Sequence, residues 1–418
     1  MTSESETPVA EKAAPSLALH RIPLVLVVFV VALAAPVQLN FVQHLSADTY
    51  SDLYSPWFGS RVALQHSDPY SPAITTEIQR DMYGHPLAAD DPHDPEAFVY
   101  PPWIVFPLAP FTLFAWPTVE WLFAVLTPLV ILATIAAWMR LCRPAFDRLT
   151  TIAACVLILA SWPAVWGCYQ RQPSLFVAAA MAFAILLFRH EHDVSAGILL
   201  ALATVKPQLV LLLGLWLLLI ALRQRRWRFA VSFCGTLAVL IGASALLFPG
   251  SIPHWIHAAI AYTHAAGKVS LLTHLFGQRL GLFADVALIA ALGIRLWQLR
   301  SAAPGSSAFA CAAALVLAVT TCLIPGNPWL LFNNLLLVPA ILLLFTTAAP
   351  TQISKLFQTF AGIALLLVVL ITPLCAAIGL FTGYRFNLVM PPFVLGYLLP
   401  LPVAAAMFFL PPGAEPQI

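Results

Sequence analysis

Long apolar segments constrain what this chain can fold into more than any other feature of its sequence. Each clear segment has roughly the 17–25 residues that an α-helix needs to cross the hydrocarbon core of a bilayer. They lie at about 22–42, 118–139, 149–166, 229–248, 281–299, 306–324, 328–347, 356–375 and 391–410. A water-soluble fold cannot bury a chain of which 61% is hydrophobic and only 9% is charged. The sequence therefore predicts an all-α, polytopic membrane protein.

Three further apolar regions are less regular. Residues 101–114 (PPWIVFPLAPFTLF) are too short and too rich in proline to cross, which predicts a re-entrant or interfacial helix. Residues 173–188 predict a short span, and residues 195–222 predict a helix that is broken at Lys206-Pro207. With the break counted, we expect a bundle of about 12 helices.

Arginine clusters predict which side of the membrane each loop occupies. Arg140–Arg148 and Arg223–Arg228 belong in the cytoplasm by the positive-inside rule, so we expect both termini on the inner side of the cytoplasmic membrane. The predicted external parts are the acidic loop 43–117, residues 167–172, the Lys206-Pro207 break and residues 249–280. In the alternative, residues 101–114 cross the membrane and residues 195–222 stay one helix, but the first arginine cluster is then exported.

The two ends of the chain are polar. Residues 1–20 have the composition of a disordered cytoplasmic segment, and residues 411–418 form a short tail. No cleavage site follows the first apolar run, so we interpret Ile22–Leu39 as a retained first helix rather than as a signal peptide.

The loop over residues 43–117 gathers acidic side chains between apolar helices. It holds half of the chain's 18 acidic residues, namely Asp48, Asp52, Asp68, Glu77, Asp81, Asp90, Asp91, Asp94 and Glu96. Long loops on a rigid scaffold commonly carry binding and catalytic residues. We therefore interpret this loop as the one that carries the active site.

Asp52 is the candidate catalytic residue of this loop. It opens the segment DLYSPWFGSRVAL, in which Ser55-Pro56 predicts the start of a short helix along the membrane surface. A carboxylate at the mouth of a membrane cavity can act as a general base, a role that contributes about 10²–10⁴ in rate. The alternative is that Asp52 only caps the helix, and spacing alone does not decide between the two.

Lys206 is a charged residue at an interrupted helix. The half-helix before it rises only about 16 Å, so we expect Lys206 at or below the outer surface, inside a cavity. An ammonium at membrane depth costs about 2.5–3.5 kcal/mol on insertion scales and usually pairs with an anion. A lipid phosphate is the natural ligand, and the alternative is a lysine that snorkels to the surface. Arg61 and Arg171 are candidates to help hold that phosphate, from a set of external cations that also includes Lys268, Arg279 and Arg385.

Four uncharged side chains are candidates for contact with a sugar or an acceptor. Gln170 and Gln172, in CYQRQPS, can hydrogen-bond hydroxyl groups, or they can satisfy loop backbone. Tyr100 belongs first to a rigid Tyr-Pro-Pro turn, with substrate contact as a second role. Asn333 is a polar residue within an apolar helix, and hydrogen bonding between helices is the alternative explanation for it.

Residues 249–280 are predicted to form an external amphipathic loop. Apolar side chains recur there at helical spacing, which is typical of a helix that lies on the membrane face: Ile252, Trp255, Ile256, Ala259 and Ile260. The same segment contains three histidines, His254, His257 and His264. We interpret them as a solvated polar face of the helix rather than as a metal site, because no carboxylate accompanies them in the sequence.

Several function classes are disfavoured by what the sequence lacks. It has no P-loop, nucleotide fingerprint or DxD pair, which argues against nucleotide-fuelled transport and against a soluble nucleotide-sugar donor. The seven cysteines have no CxxC motif and no metal-ligand spacing, so we interpret them as small core residues rather than as disulfides or metal ligands. A net charge of +2 gives no reason to expect a nucleic-acid partner.

The first half of the chain carries an ordered set of short motifs. They are Asp52-Leu-Tyr with Gly59-Ser-Arg61, Asp68-Pro-Tyr70, Phe98-x-Tyr100-Pro-Pro102 with Pro107-Leu, Gly167-x-x-Gln170, and Lys206-Pro207 ahead of Arg223–Arg228. In this order they resemble the polytopic glycosyltransferases of the GT-C class, specifically glycosyltransferase family 87. That family includes mannosyltransferases that use polyprenyl-phosphate mannose.

The resemblance implies an external active site, a polyprenyl-phosphate sugar donor and an inverting single displacement, with the first-loop aspartate, Asp52, as the base. It also implies that the later helices hold the lipid chain. GT-C members that use a metal tend to have an acidic residue in the second external loop, where this chain has Gln170 and Gln172. The resemblance therefore implies no cofactor, and a divalent metal is not favoured. On this basis residues 21–248 are interpreted as a GT-C-like catalytic module, and residues 281–410 as C-terminal transmembrane helices.

We therefore expect a membrane glycosyltransferase that moves a hexose or pentose, with mannose among the candidates. The expected partners are a polyprenyl-phosphate sugar donor, a lipid or glycan acceptor and membrane lipids. The rival hypothesis is a transporter or flippase that binds a lipid-linked sugar in the same cavity without reaction. Paired inverted halves would favour the rival, and none is evident in the sequence.

Overall fold

The computed structural model describes residues 51–88, 91, 94–144, 146–265, 268–326, 331–346, 351–382 and 395–410, together with positions 25, 28, 29, 31 and 32. These five positions are helical. The rest of the expected first helix, residues 1–20, the tail 411–418 and Arg385 lie outside the described residues. The expectations for those parts of the chain stay predictions.

The described part of the chain is helical apart from its connections and one isolated β-bridge between Val269 and Gly326. The predicted all-α class is therefore confirmed. The acidic loop contains two helices, α1 (Tyr54–Leu64) and α2 (Pro72–Tyr83). The proline-rich stretch that follows forms three consecutive short pieces of helix: Pro102–Ile104, Val105–Leu108 and Ala109–Leu113.

The next part of the chain forms a series of apolar helices: α3 (Trp116–Cys142), α4 (Arg148–Leu159), α5 (Trp162–Tyr169), α6 (Pro173–Arg189), α7 (Asp193–Ala203), α8 (Pro207–Arg223) and α9 (Trp227–Leu247). The sequence predicted one span over residues 149–166, but α4 and α5 meet there at a bend of 52°. The predicted break at Lys206 is confirmed, because α7 ends before it and α8 begins directly after it. Pro207 is suited to the first position of a helix, where its missing N–H is not needed.

The C-terminal part contains seven further helices: α10 (Ser251–Ala265), α11 (Leu271–Phe276), α12 (Gln278–Gln298), α13 (Ser307–Leu323), α14 (Val338–Thr346), α15 (Gln352–Thr382) and α16 (Pro400–Phe408). A 3₁₀ segment over Leu331–Leu337 leads into α14. The helix predicted within residues 249–280 is present as α10. Ile256 and Ile260 of α10 are exposed, whereas Trp255 is half-buried.

Four helices in the described part of the chain are long and apolar enough to cross a membrane. They are α3, α9, α12 and the stretch Gln352–Val369 of α15, and the bent pair α4–α5 makes a fifth if it is one span. The other apolar helices are shorter. The chain is therefore a helical membrane protein, while the predicted number of about 12 helices is not confirmed.

The core of the bundle surrounds α13. Every residue from Phe309 to Thr320 is buried, and several of them are alanines. Helices α8, α12, α14 and α16 all contact it. A helix that is apolar on all sides lies inside a protein, and small side chains let its neighbours approach closely.

The acidic loop has an apolar core of its own. Phe98, next to the acidic stretch, packs with residues of α1, α2 and the first turns of α3. Trp57 of α1 and Trp116 of α3 have their ring centroids 5.3 Å apart. Because this core is separate from that of the bundle, the loop is a folded cap that holds its polar residues in fixed positions.

Candidate active site

A cavity of ≈ 320 Å³ lies where the cap meets the break between α7 and α8. The charged residues in its wall are Asp52, Asp94, Glu96, Lys206 and Lys268. Four aromatic residues line it as well: Tyr100, Trp255, Tyr262 and Phe332. Charged groups that converge in a concave, partly aromatic site are typical of a ligand-binding or catalytic centre.

Asp52 lies just before α1 and faces this cavity. The N-cap position of α1 is Leu53 rather than Asp52, so the capping explanation is not supported. The side-chain amide nitrogen of Gln172 donates a hydrogen bond to Asp52 Oδ2. Gln172 itself is the N-cap residue of α6, and its side chain makes no capping hydrogen bond, which leaves the amide available to Asp52.

Lys206 reaches the same amide from the other side. Its ammonium donates to Gln172 Oε1 at 3.1 Å and to Ser174 Oγ at 2.8 Å. Because a lysine only donates and a carboxylate only accepts, the two ends of the Gln172 amide have their orientation fixed by this pair. Both partners of Lys206 are neutral, and it forms no ion pair within the part of the chain that the structure describes.

The surroundings of Lys206 are apolar and aromatic. Its Nζ lies 5.4 Å from the centre of the Tyr100 ring and 5.7 Å from that of Phe332. Burial lowers the pKa of Lys206 below the usual range for a lysine, the nearby Asp52 carboxylate raises it, and the charge on Lys268 lowers it further. An anion bound beside Lys206 would form the ion pair that its described neighbours do not provide.

A second polar group, which we call the Asp94 cluster, consists of Asp94, Tyr262 and Lys268. The Tyr262 hydroxyl donates to Asp94 Oδ1 at 2.5 Å, and Lys268 donates to Asp94 Oδ2 at 2.8 Å and to the Tyr262 oxygen at 2.6 Å. Burial, followed by the charges on Asp94 and Glu96, raises the pKa of Tyr262 well above its usual value, so the phenol keeps its proton. The pKa of Tyr100 is raised in the same way, by burial first and then by Asp52 and other carboxylates.

Three hydrogen bonds attach the backbone around Tyr100 to α1, to the connection between α1 and α2, and to α10. Side chains of the cap and of α10 donate hydrogen bonds to its carbonyl groups: Ser55 to Ala97 at 3.0 Å, Tyr70 to Tyr100 at 2.7 Å and Trp255 to Val99 at 3.2 Å. The indole of Trp103 donates to Thr204 Oγ1 at 3.1 Å, directly before the helix break. These bonds keep the cap in register with the wall that carries Lys206.

The structure brings five of the eight predicted site residues into the cavity wall: Asp52, Tyr100, Gln172, Lys206 and Asn333. Arg61, Arg171 and Gln170 are not part of that wall. Arg61 is exposed on α1, with its guanidinium carbon 5.7 Å from the Trp57 ring centre. Arg171 donates to the carbonyl of Tyr169, and Gln170 is buried next to it. The roles predicted for all eight residues remain predictions.

The charged and aromatic residues of the wall that the sequence analysis did not single out as site residues are Asp94, Glu96, Trp255, Tyr262, Lys268 and Phe332. Asp94 and Glu96 were visible only as members of the acidic loop, and Lys268 only as one external cation among several. The bond between Tyr262 and Asp94 joins residues 168 positions apart, and no local pattern reports such a contact.

No group of three or more His, Cys, Asp or Glu side chains suited to a metal ion occurs among the described residues. The expectation that the protein needs no cofactor, and that a divalent metal is not favoured, stays a prediction.

Comparison with known families decides the class of the protein. The model of glycosyltransferase family 87 matches residues 98–347, which is more than half of the chain. The chain belongs to glycosyltransferase family 87. The resemblance drawn from the ordered motifs is thereby confirmed, and the protein is a GT-C-type membrane glycosyltransferase. No curated protein and no solved structure matches the chain.

The residues matched by the family 87 model include only part of the cavity wall. Tyr100, Gln172, Lys206, Lys268 and Asn333 fall within the matched residues, whereas Asp52 and the carboxylates Asp94 and Glu96 precede them. Membership of family 87 therefore supports the enzyme class, while the matched residues include none of these three carboxylates and do not test Asp52 as the base.

Proposed function

We propose that the enzyme transfers a sugar from a polyprenyl-phosphate carrier to a hydroxyl group of a lipid or glycan acceptor, outside the cytoplasmic membrane. The observation that carries this proposal is the state of Lys206. Its ammonium is held in the cavity by two neutral groups and lacks an ion-pair partner among the described residues. A phosphodiester, which carries one negative charge, would complete this site.

The reaction would be a single displacement with inversion at the anomeric carbon. Asp52 takes the proton of the acceptor hydroxyl as the hydroxyl oxygen forms a bond to that carbon. The bond from the carbon to the phosphate oxygen breaks, and its electron pair stays on the phosphate. Lys206 stabilises the charge that develops on the departing polyprenyl phosphate.

Gln172 hydrogen-bonds to both Asp52 and Lys206, which supports the proposal that these two residues act in the same reaction step. Its amide bonds to the proposed base and to the proposed phosphate ligand at the same time. Donor phosphate and acceptor hydroxyl would therefore meet on the two sides of one fixed side chain, with the anomeric carbon between them.

The proposal is tested with purified protein in lipid nanodiscs. The probes are farnesyl phosphates that carry mannose, glucose, galactose or arabinose, incubated with a lipid extract as the source of acceptor. We expect release of farnesyl phosphate from at least one probe, and loss of that release by about 10²-fold or more in Asp52→Asn. Lys206→Met should raise the KM for the donor and lower kcat, because the phosphate charge grows during the reaction.

Matched variants control for indirect effects. Glu77→Gln removes an exposed carboxylate of α2, and Lys355→Met removes an exposed lysine of α15, and neither residue lines the cavity. Both should leave turnover within about twofold. Unchanged turnover in Asp52→Asn would refute its role as base, and tight binding of the donors without any release would favour the transporter hypothesis.

A further inference from the structure

The two lysines of the cavity differ in how their charge is balanced. Lys206 bonds only to neutral groups, whereas Lys268 is paired with Asp94 at 2.8 Å. The side chains of Lys268 and Asp94 are 11% and 31% exposed, so the pair is largely shielded from solvent. This end of the cavity carries no surplus positive charge that would attract a second phosphate. It offers hydrogen-bond donors and acceptors instead.

Part of the hydrogen-bonding capacity of the cavity wall is unused. Lys268 has three N–H donors and uses two of them, on Asp94 and Tyr262, among the described residues. Asn333 Oδ1 is buried and has no donor in the described part of the chain, although Asn333 lines the cavity. A buried acceptor without a donor destabilises the protein, and a ligand hydroxyl that donates to it would relieve this cost.

Aromatic surface accompanies these polar groups. Trp255 lines the cavity, and its indole is fixed by the bond to Val99 and by edge contact with Trp103 at 5.4 Å between ring centroids. Tyr262 lines it too, with its hydroxyl held by Asp94. A wall that combines hydrogen-bonding groups with aromatic side chains suits a sugar ring, which has hydroxyls at its rim and C–H groups on its faces.

We propose that the Asp94 cluster, together with Asn333, is a subsite for the hydroxyl groups of a saccharide ring. The inference depends on the proposed function, because a carrier phosphate at Lys206 would bring a sugar into the same cavity. Asp94 accepts from one hydroxyl, Lys268 donates to another, and the neutral Tyr262 phenol holds both in place. The ring belongs either to the donor or to the acceptor, and the chemistry of recognition is the same.

The test measures equilibrium binding to the full-length protein in nanodiscs by isothermal titration calorimetry. One series of probes is farnesyl phosphate alone and farnesyl phosphates that carry mannose, glucose, galactose or arabinose. The second series is octanol and the octyl glycosides of the same sugars. Tyr262→Phe and Asp94→Asn alter the cluster with little change in volume. Tyr397→Phe is the matched control, since it removes a buried hydroxyl that has no partner among the described residues and lies outside the cavity wall.

We expect both cluster variants to weaken at least one sugar-bearing probe by about tenfold or more. Binding of farnesyl phosphate alone should be unchanged in Tyr262→Phe. It should be unchanged or tighter in Asp94→Asn, because that variant removes the carboxylate that neutralises the positive charge of Lys268. Losses confined to the farnesyl series assign the ring to the donor, and losses confined to the octyl glycosides assign it to the acceptor. Either pattern supports the subsite.

Three results would overturn the subsite. The cluster variants could weaken farnesyl phosphate as much as the sugar-bearing probes, which would make the cluster a phosphate site. They could leave the affinity for every sugar-bearing probe unchanged, which would mean that the Asp94 cluster only connects the cap to α10. The wild-type protein could also gain no affinity from a sugar on any probe. A separate measurement tests the proposed function itself. If Lys206→Met binds farnesyl phosphate as tightly as the wild-type protein does, the phosphate site proposed at Lys206 is wrong.

Discussion

At the scale of single residues, the site depends on an amide between two charges. Gln172 is neutral, and it holds the Asp52 carboxylate and the Lys206 ammonium apart while it bonds to both. A direct ion pair would satisfy Lys206 and leave it less able to bind a phosphate. The amide therefore leaves the Lys206 ammonium without a direct ion pair to Asp52.

The variant Gln172→Glu tests this arrangement. A carboxylate of the same shape would pair with Lys206 and repel Asp52, so we expect the KM for the donor to rise and kcat to fall, each by about tenfold or more. Steady-state kinetics with the donor that proves active measures both. Gln298→Glu, an exposed position at the end of α12, is the control and should change neither value. Normal kinetics in Gln172→Glu would contradict the bridging role.

The lowered pKa of Lys206 predicts a dependence of donor binding on pH. The ammonium is the form that binds the phosphodiester. Burial lowers the pKa of Lys206 below the usual lysine value of about 10.4, so the ammonium loses its proton at a lower pH than in an exposed lysine. The donor affinity should therefore fall as the pH rises towards 9, although the charge of the phosphodiester stays constant. Lys206→Arg keeps its charge at every accessible pH and should remove this fall. An identical pH profile in the two proteins would show that another group titrates.

At the scale of elements, the cap is positioned by close packing as well as by hydrogen bonds. Gly59 on α1 lies against the ring of Phe98, and an added Cβ would overlap that ring. Phe98 is 1% exposed and belongs to the core of the cap, two residues before Tyr100. The absence of a side chain at residue 59 therefore sets where the backbone around Tyr100 runs.

Gly59→Ala should destabilise the cap by about 1–3 kcal/mol, because neither the ring nor the α1 backbone has space to move. We expect a lower Tm and a loss of donor binding. Gly235→Ala is the control, since Gly235 lies in α9 with no atom within 4 Å of an added Cβ. It should be neutral or slightly stabilising, as alanine favours a helix over glycine. Equal Tm values for the two variants would contradict the packing argument.

The sequence predicted elements better than it predicted contacts between them. The break at Lys206 was predictable because Pro207 acts on its own backbone, and the helices of residues 116–247 followed from apolar length. The bend between α4 and α5 was not predicted, since a continuous apolar run is compatible with a straight helix. The Asp94 cluster was also missed, because its members meet only when the cap folds against α10.

At the scale of the whole molecule, the cavity joins parts that lie far apart in the sequence. The cap contributes Asp52 and Asp94, the helix break contributes Lys206, and α10 with its following connection contributes Tyr262 and Lys268. The cavity is therefore on the same side of the bundle as the cap. The positive-inside rule predicts that this side is external, and the proposed function expects a lipid-linked sugar as the donor there.

Labelling of single cysteines tests this orientation. In a background without native cysteines, Glu77→Cys on α2 should react with a membrane-impermeant maleimide in intact cells. Arg225→Cys, in the connection between α8 and α9, should react only after the membrane is opened. Both native residues are exposed, so access is decided by the membrane. The reverse pattern would contradict the predicted topology and the external site.

The most direct test of the central claim is an experimental structure of the enzyme with its sugar-bearing farnesyl phosphate bound. The account predicts that a phosphate oxygen lies within about 3.2 Å of Lys206 Nζ and that the anomeric carbon faces Asp52 across the cavity. A phosphate bound away from Lys206, or an anomeric carbon that Asp52 and an acceptor hydroxyl cannot reach from the same cavity, would contradict it.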